Sequence, residues 1–355
     1  MDTRAGRVPG DEAPHEFLAR HGSQIFDERF SSSAGRFSFD GHDIACRDGI
    51  LRFTPDQSYS TGNFSRLRDA HPTLQLDSRT GLEISYRTVV ERCNWPPEYF
   101  RDRLVLECGC GAGPDTEALL RLGAQVVSVD LAGTDVARRN VGDGDRNIFV
   151  QCSITDLPFR KKSFDIVFCH RVLQHTPDPE HALRHILEFV RDDGAVFVHS
   201  YARNRAQMFG WKYVLRPITT RMDPDRLYRL IQWYVPPLHR FGTRLARVRP
   251  RRLGRLLFQL SQYVLPLYNY RYWPAFAGKP DEYVVEYAIH NTFDALSPRY
   301  DIPMSARRMR EIAAATLTSP FEVVEPGGIV LLRTLIGAAA DAGARRMAQG
   351  READR

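Results

Sequence analysis

Residues 104–113, Leu104-Val105-Leu106-Glu107-Cys108-Gly109-Cys110-Gly111-Ala112-Gly113, constrain the fold more than any other stretch of this 355-residue chain. Leu104-Val105-Leu106 reads as a buried strand and residues 115–122 as a helix, so the three glycines occupy a strand-to-helix turn. Such a turn lets a ligand lie on bare backbone and offers it the free N–H groups of a helix N-terminus. A dinucleotide fingerprint spaces its glycines G-x-G-x-x-G. Here the spacing is G-x-G-x-G, and Glu107 stands two residues before the first glycine. A carboxylate there repels a pyrophosphate and suits a cationic amino group. The pattern points to S-adenosylmethionine rather than a nicotinamide dinucleotide.

The segments that follow alternate regularly. Strands are expected at 125–130, 148–152, 164–169 and 195–201, with helices at 134–140 and 179–190 between them. After a long basic stretch come a helix at 305–317 and two strands, 321–325 and 329–335, joined at Gly327-Gly328. Strands separated by helices predict a parallel α/β sheet, here with an antiparallel pair at one end. Ligands of open α/β sheets bind at the carboxyl ends of the strands. Asp130 ends the second strand, with Leu131 beside it, and is placed to accept both ribose hydroxyls. Asp156 and Leu157 follow the third strand, where a carboxylate can accept from an adenine amino group. His170 and His199 end neighbouring strands and are the candidate catalytic bases, His170 also a candidate cofactor contact. His175, before Pro177, is expected to be structural or at the pocket wall. Ahead of the sheet, residues 1 to about 30 are expected to be frayed, and residues 37–54 form a hairpin pattern turning at Asp40-Gly41 and Asp48-Gly49.

Four motifs in register, E-C-G-C-G-A-G, V-D, D-L-P-F and F-D-I-V-F-C-H-R-V-L-Q-H-T-P-D-P, resemble those of class I S-adenosylmethionine-dependent methyltransferases. The branch they most resemble is typified by ubiquinone and menaquinone methyltransferases, and the likeness covers about 100–201. Gln75-Leu76-Asp77-Ser78 and residues 291–300 are similar to a bacterial subgroup that often accompanies glycan and secondary-metabolite pathways. The resemblance implies a Rossmann-like sheet, S-adenosyl-L-methionine as cofactor, and Glu107, Gly109, Gly111, Gly113, Asp130, Leu131, Asp156, Leu157 and His170 as cofactor contacts. The hairpin around Cys46 resembles a zinc-ribbon module of some relatives, but Cys46 stands alone where tetrahedral zinc needs pairs. No metal is expected, there or at Cys108-x-Cys110. The expected organisation is a flexible lead and hairpin over 1–57, a cofactor-binding core over 58–201, a lid over 202–280, completion of the core over 281–336, and a loose tail over 337–355.

Charge adds what the motifs leave open. The chain carries a net +6, yet residues 203–280 alone hold 16 Lys plus Arg against Asp223 and Asp225, so the remainder sums to −8. Those 78 residues also hold three of the four tryptophans. A stretch this long is expected to be a mostly helical cationic lid rather than an unstructured connection. Within it Leu253, Leu256, Leu257, Leu260 and Val264 fall on one helical face, so residues 251–267 read as a peripheral membrane contact or part of the lid. The favoured activity is O-methylation of a small-molecule or glycan acceptor, anionic or lipid-linked. Cys169-His170-Arg171-Val172 replaces the Asn-Pro-Pro-Tyr signature of adenine and glutamine methylation. The alternatives are methylation of RNA, disfavoured because no RNA-binding motif is present, and a non-catalytic scaffold, disfavoured by the intact glycine loop. Apolar runs fall short of the roughly 20 residues of a membrane span. The N-terminus lacks the apolar stretch of a secretory signal, and six cysteines make no disulfide scaffold. The expected location is therefore the cytoplasm, with the inner membrane surface as a possible site of contact.

Overall fold

A computed structural model describes residues 13–33, 36–54, 61–142, 144–203 and 210–337. Residues 1–12 of the expected frayed lead lie outside the described residues; over the rest of it, helix α1 (Ala13–Ile25) docks on the sheet, with Phe17 and Ile25 fully buried in the core that holds Phe159 and Phe164. Its few apolar residues share one face that is visible only once the sheet is there to receive it. Strands β1 (Phe30–Ser33), β2 (Arg36–Phe39), β3 (His42–Arg47) and β4 (Ile50–Arg52) form an antiparallel meander. Its turns fall where the sequence predicts them, at Asp40-Gly41 (φ 53° and 78°) and Asp48-Gly49 (φ 52° and 68°). Helices α2 (Thr61–Ala70), α3 (Asp77–Thr80) and α4 (Ile84–Cys93) lead into the core strands.

The core alternates strand and helix: β5 (Leu104–Cys108), α5 (Pro114–Arg121), β6 (Gln125–Asp130), α6 (Thr134–Val141), β7 (Asn147–Gln151), β8 (Phe164–His170), α7 (Pro179–Leu187) and β9 (Val190–Tyr201). Every residue of β5, β7 and β8 is buried, as strands covered on both faces must be. Helix α12 (Ala306–Thr316) and strands β10 (Phe321–Val324) and β11 (Ile329–Thr334) complete the sheet. Its order is β1-β2-β3-β4-β7-β6-β5-β8-β9-β11-β10. β4 joins parallel to β7, with Ile50 opposite Phe149, so the N-terminal meander extends the sheet edge rather than standing apart. β11 pairs antiparallel with β9 and β10, as the adjacent final strands predict. The chain runs outward from β5 through β6 to β7, then returns to β8 on the other side. The point of reversal lies at Gly109, where a crevice opens beyond the strand ends. Register brings the site residues level there. Cys108 lies opposite both Val129 and Cys169, and His170 lies opposite His199.

Above these strand ends sits a helical layer: α8 (Trp211–Thr219), α9 (Pro224–Leu245), α10 (Arg251–Val264) and α11 (Asp281–Leu296). It has an apolar core of its own, in which Tyr228, Ile231 and Val235 of α9 meet Val284, Tyr287 and Phe293 of α11. Leu67, Leu74 and Leu82, from ahead of β5, belong to the same cluster, so the layer draws on more of the chain than residues 202–280. Buried Arg216 fastens α8 by donating to the carbonyls of Ala295 (3.0 Å) and Pro298 (2.7 Å). The first residues of the expected lid, 204–209, and the expected tail beyond 337 lie outside the described residues.

Candidate active site

A cavity of about 1110 Å³ opens over the carboxyl ends of β5, β6, β8 and β9 and continues beneath the helical layer. Gly109, Cys110, Gly111 and Ala112 present the glycine loop to it. Gly109 has φ 84°, and a Cβ there would stand 2.2 Å from Val172 Cγ2, so this position tolerates no side chain. Gly113, expected at the cofactor, does something else. It turns α5 against α6, where a Cβ would meet Val141 Cγ2 at 2.7 Å, and it is not part of the cavity wall.

Asp130 and Leu131 line the cavity. The Asp130 carboxylate organises the loops around it: Oδ1 accepts from the backbone N–H of Ala132 and Gly133 (both 2.8 Å), and Oδ2 from that of Gly111 (2.9 Å). Arg68 of α2 lies against both oxygens at 3.3 and 3.2 Å. Asp156 and Leu157 are displaced from their expected place. A tight turn pairs Ser153 with Asp156, which leaves Asp156 exposed and buries Leu157 away from the cavity; Cys152 and Ile154 line it instead.

Glu107 also departs from its expected contact. Its side chain is buried beneath the loop and does not reach the cavity wall. Oε2 accepts from Thr116 Oγ1 (2.6 Å) and Ser128 Oγ (2.7 Å), which ties β5 to α5 and β6. Burial, with the nearby Asp115 charge, pushes its pKa up to about 8, while Oε1 is buried without a hydrogen-bond partner. Another carboxylate that faces the cavity is Asp115, in the first turn of α5. The sequence reading overlooks it, although an acid in the first turn after a glycine loop is a signal worth following.

Asp115 Oδ2 lies 2.8 Å from His170 Nδ1. Burial lowers the His170 pKa to about 4, against the pull of Asp115. Asp115 itself is held below its ordinary value because His170, Arg171 and Arg92 outweigh its burial. The pair is therefore a carboxylate accepting Nδ1–H from a neutral imidazole, with Nε2 left as acceptor toward Arg92 Nη1 at 3.4 Å. His199 stands edge-on to His170 at 5.0 Å, its Nδ1 buried and unpartnered, and burial holds it neutral. His175 borders the same space and is tied by Nδ1 to the Tyr300 carbonyl (3.1 Å). Across from these groups the cavity is walled by Tyr270, Trp273, Phe276 and Tyr287, with Arg171 at its floor. Arg171 adopts φ 63°, unusual for a residue with a side chain; its carbonyl accepts from Gln174 Nε2 (2.8 Å), and its guanidinium makes no hydrogen bond or ion pair among the described residues. Among those residues no cluster of three or more His, Cys, Asp or Glu side chains could hold a metal ion.

Residues 106–198 match a sequence family described as a methyltransferase domain. A ubiquinone biosynthesis O-methyltransferase of Coxiella burnetii is 35% identical over 103 residues, which is 28% of this chain and 44% of that protein. One of Stutzerimonas stutzeri is 33% identical over 138 residues, 35% of this chain and 58% of that protein. The chain thus spans about half the length of the curated relatives it matches. Among solved structures, an S-adenosylmethionine-dependent methyltransferase from Mesorhizobium loti aligns with 34% of this chain and 56% of its own, at 19% identity and a TM-score of 0.31. The sheet is Rossmann-like, and S-adenosylmethionine is the cofactor of the methyltransferase domain that residues 106–198 match. The residues present fit that group. The loop backbone is open, and Asp130 faces the cavity.

Proposed function

We propose that this chain methylates an oxygen atom of a small anionic or glycan acceptor, lipid-linked in its natural form. The observation that carries the reading is one continuous cavity, running from the glycine loop past the Asp115–His170 pair to the aromatic wall beneath the lid. Bound S-adenosylmethionine supplies a methyl group already activated on a sulfonium. The backbone of residues 109–112 and the Asp130 carboxylate would hold it, and the protein's remaining task is to align an acceptor. Alignment of two bound reactants supplies about 7–11 kcal/mol. A hydroxyl acceptor must also lose its proton. Asp115 fixes the imidazole so that His170 Nε2 can receive it once the hydroxyl takes the place of Arg92 Nη1, now 3.4 Å away, and the neutral state imposed by burial leaves Nε2 unprotonated at pH 7. The Arg171 guanidinium, which makes no hydrogen bond or ion pair among the described residues, favours a carboxylate or phosphate on the acceptor.

The likeness of residues 106–198 to ubiquinone O-methyltransferases supports oxygen as the methylated atom and a biosynthetic setting. All six cysteines are unbridged, which suits a reducing compartment such as the cytoplasm, and the lid's exterior supports work at its inner membrane face. The test is transfer of a ¹³C-labelled methyl from S-adenosylmethionine into fractionated cell extract. Label should enter as methoxy carbon, and His170→Gln should slow its appearance about 100-fold while leaving affinity for S-adenosylhomocysteine unchanged. Label on nitrogen or carbon, or a variant as fast as the parent, contradicts the proposal.

A further inference from the structure

The lid's outer surface is built against the usual rule for an amphipathic helix. Helix α10 turns small residues inward: Gly254 and Ser261 are its buried positions, and a Cβ on Gly254 would stand 2.6 Å from the Ala246 carbonyl oxygen. Its aliphatic stripe points outward, with Leu253, Leu256, Leu260 and Val264 exposed by 43%, 51%, 52% and 73%. Helix α9, packed beside it, repeats the arrangement. Leu230, Trp233, Pro237 and Phe241 share one exposed stripe, and Arg226, Arg240 and Arg244 fall on the same stripe. Arg240, Arg244, Arg251, Arg252 and Arg255 are exposed, and none is in an ion pair among the described residues. The stripe of α10 also runs to the cavity. Exposed Tyr263, next to Val264, and exposed Trp273 both line its mouth.

We propose that this face docks on an anionic lipid surface and sets the cavity mouth against it, so that the acceptor is an amphiphile drawn from that surface. Aliphatic side chains enter the acyl boundary while the arginines reach phosphate at its edge. No described helix is long and apolar enough to cross a membrane, so the contact is with the surface. A nucleic acid would use the arginines and the tryptophan but gains nothing from exposed leucine and valine. A second copy of the chain would bring the same unpaired arginines face to face. Docking stands independently of the chemistry; the amphiphilic acceptor rests on the transferase reading above.

The test is co-sedimentation of the full chain with equimolar phosphatidylglycerol–phosphatidylcholine vesicles and with phosphatidylcholine vesicles alone. Binding should require the anionic lipid. Combined Arg251→Gln, Arg252→Gln and Arg255→Gln should lower the partition coefficient about 100-fold. Leu256→Ser with Leu260→Ser, at positions already exposed and so harmless to folding, should lower it about 30-fold. The proposal is overturned if the parent stays in the supernatant, or if the leucine variant binds as the parent does. It is equally overturned if ultracentrifugation finds a dimer that the leucine variant dissolves, or if single-stranded RNA displaces the vesicles whether or not the leucines are present. S-adenosylhomocysteine titrated in parallel separates the two readings: its failure to bind, with docking intact, removes the transferase and leaves the surface.

Discussion

Gly109→Ala will destabilise the protein by about 2–5 kcal/mol and empty the cofactor site. Two costs combine. The backbone at 109 has φ 84°, where a Cβ costs roughly 1–2 kcal/mol. The new methyl would also stand 2.2 and 2.8 Å from the two γ carbons of Val172, an overpacking worth about 1–3 kcal/mol. Rotating Val172 gives no relief, because both of its methyls are in the way. Adding Val172→Ala should recover the packing part and leave the backbone part. Denaturant midpoints of the parent, both single variants and the double variant measure the two separately. If Gly109→Ala alone matches the parent in midpoint and in affinity for S-adenosylhomocysteine, the loop does not have this geometry.

Acid will unfold the protein through its buried imidazoles. Burial holds His170 and His239 to about 4 and His290 to about 3, and carries His199 well below its ordinary value. These rings stay neutral in the fold but take up protons in the unfolded chain near pH 6.5. Stability is therefore full above that pH and is lost as the pH falls toward 4. At pH 5 a ring such as His290, whose Nδ1 is buried without a partner, costs on the order of 2 kcal/mol. The check is unfolding free energy against pH between 7 and 5, in the parent and in His290→Gln. Glu107, held protonated in the fold, opposes the rings near pH 7, so the slope should be positive below about pH 6.5 and smaller by about one proton in the variant near pH 5. A flat profile, or a variant with the parent's slope, would show that these rings are not held neutral by the fold.

The parts of this structure most legible in the sequence are those set by local pattern. The glycine turn, the strands flanking it and the antiparallel close at β10–β11 follow from alternation and from residues that only a turn accepts. So does α10, whose periodicity survives being mounted with its apolar side outward. What the pattern hides depends on partners far along the chain. Helix α1 looks polar until the sheet supplies a place for Phe17 and Ile25. The lid's core joins Leu67 and Leu74 to Phe293 across more than two hundred residues, which no local period announces. At the site, strand ends were readable but side-chain direction was not. Asp130, His170 and His199 face the cavity, whereas Asp156 is carried out to solvent by one tight turn and Glu107 is drawn under the loop by Thr116 and Ser128. Asp115 was hidden because its meaning lies in a partner 55 residues away, His170.

The central claim is that this loop and Asp130 hold S-adenosylmethionine, and calorimetric titration with S-adenosylhomocysteine tests it most directly. The parent should bind at a single site. Asp130→Asn, which removes the charge that would accept the ribose hydroxyls, should weaken binding at least about 10-fold. No heat of binding in the parent, or equal affinity in the two proteins, would contradict the account.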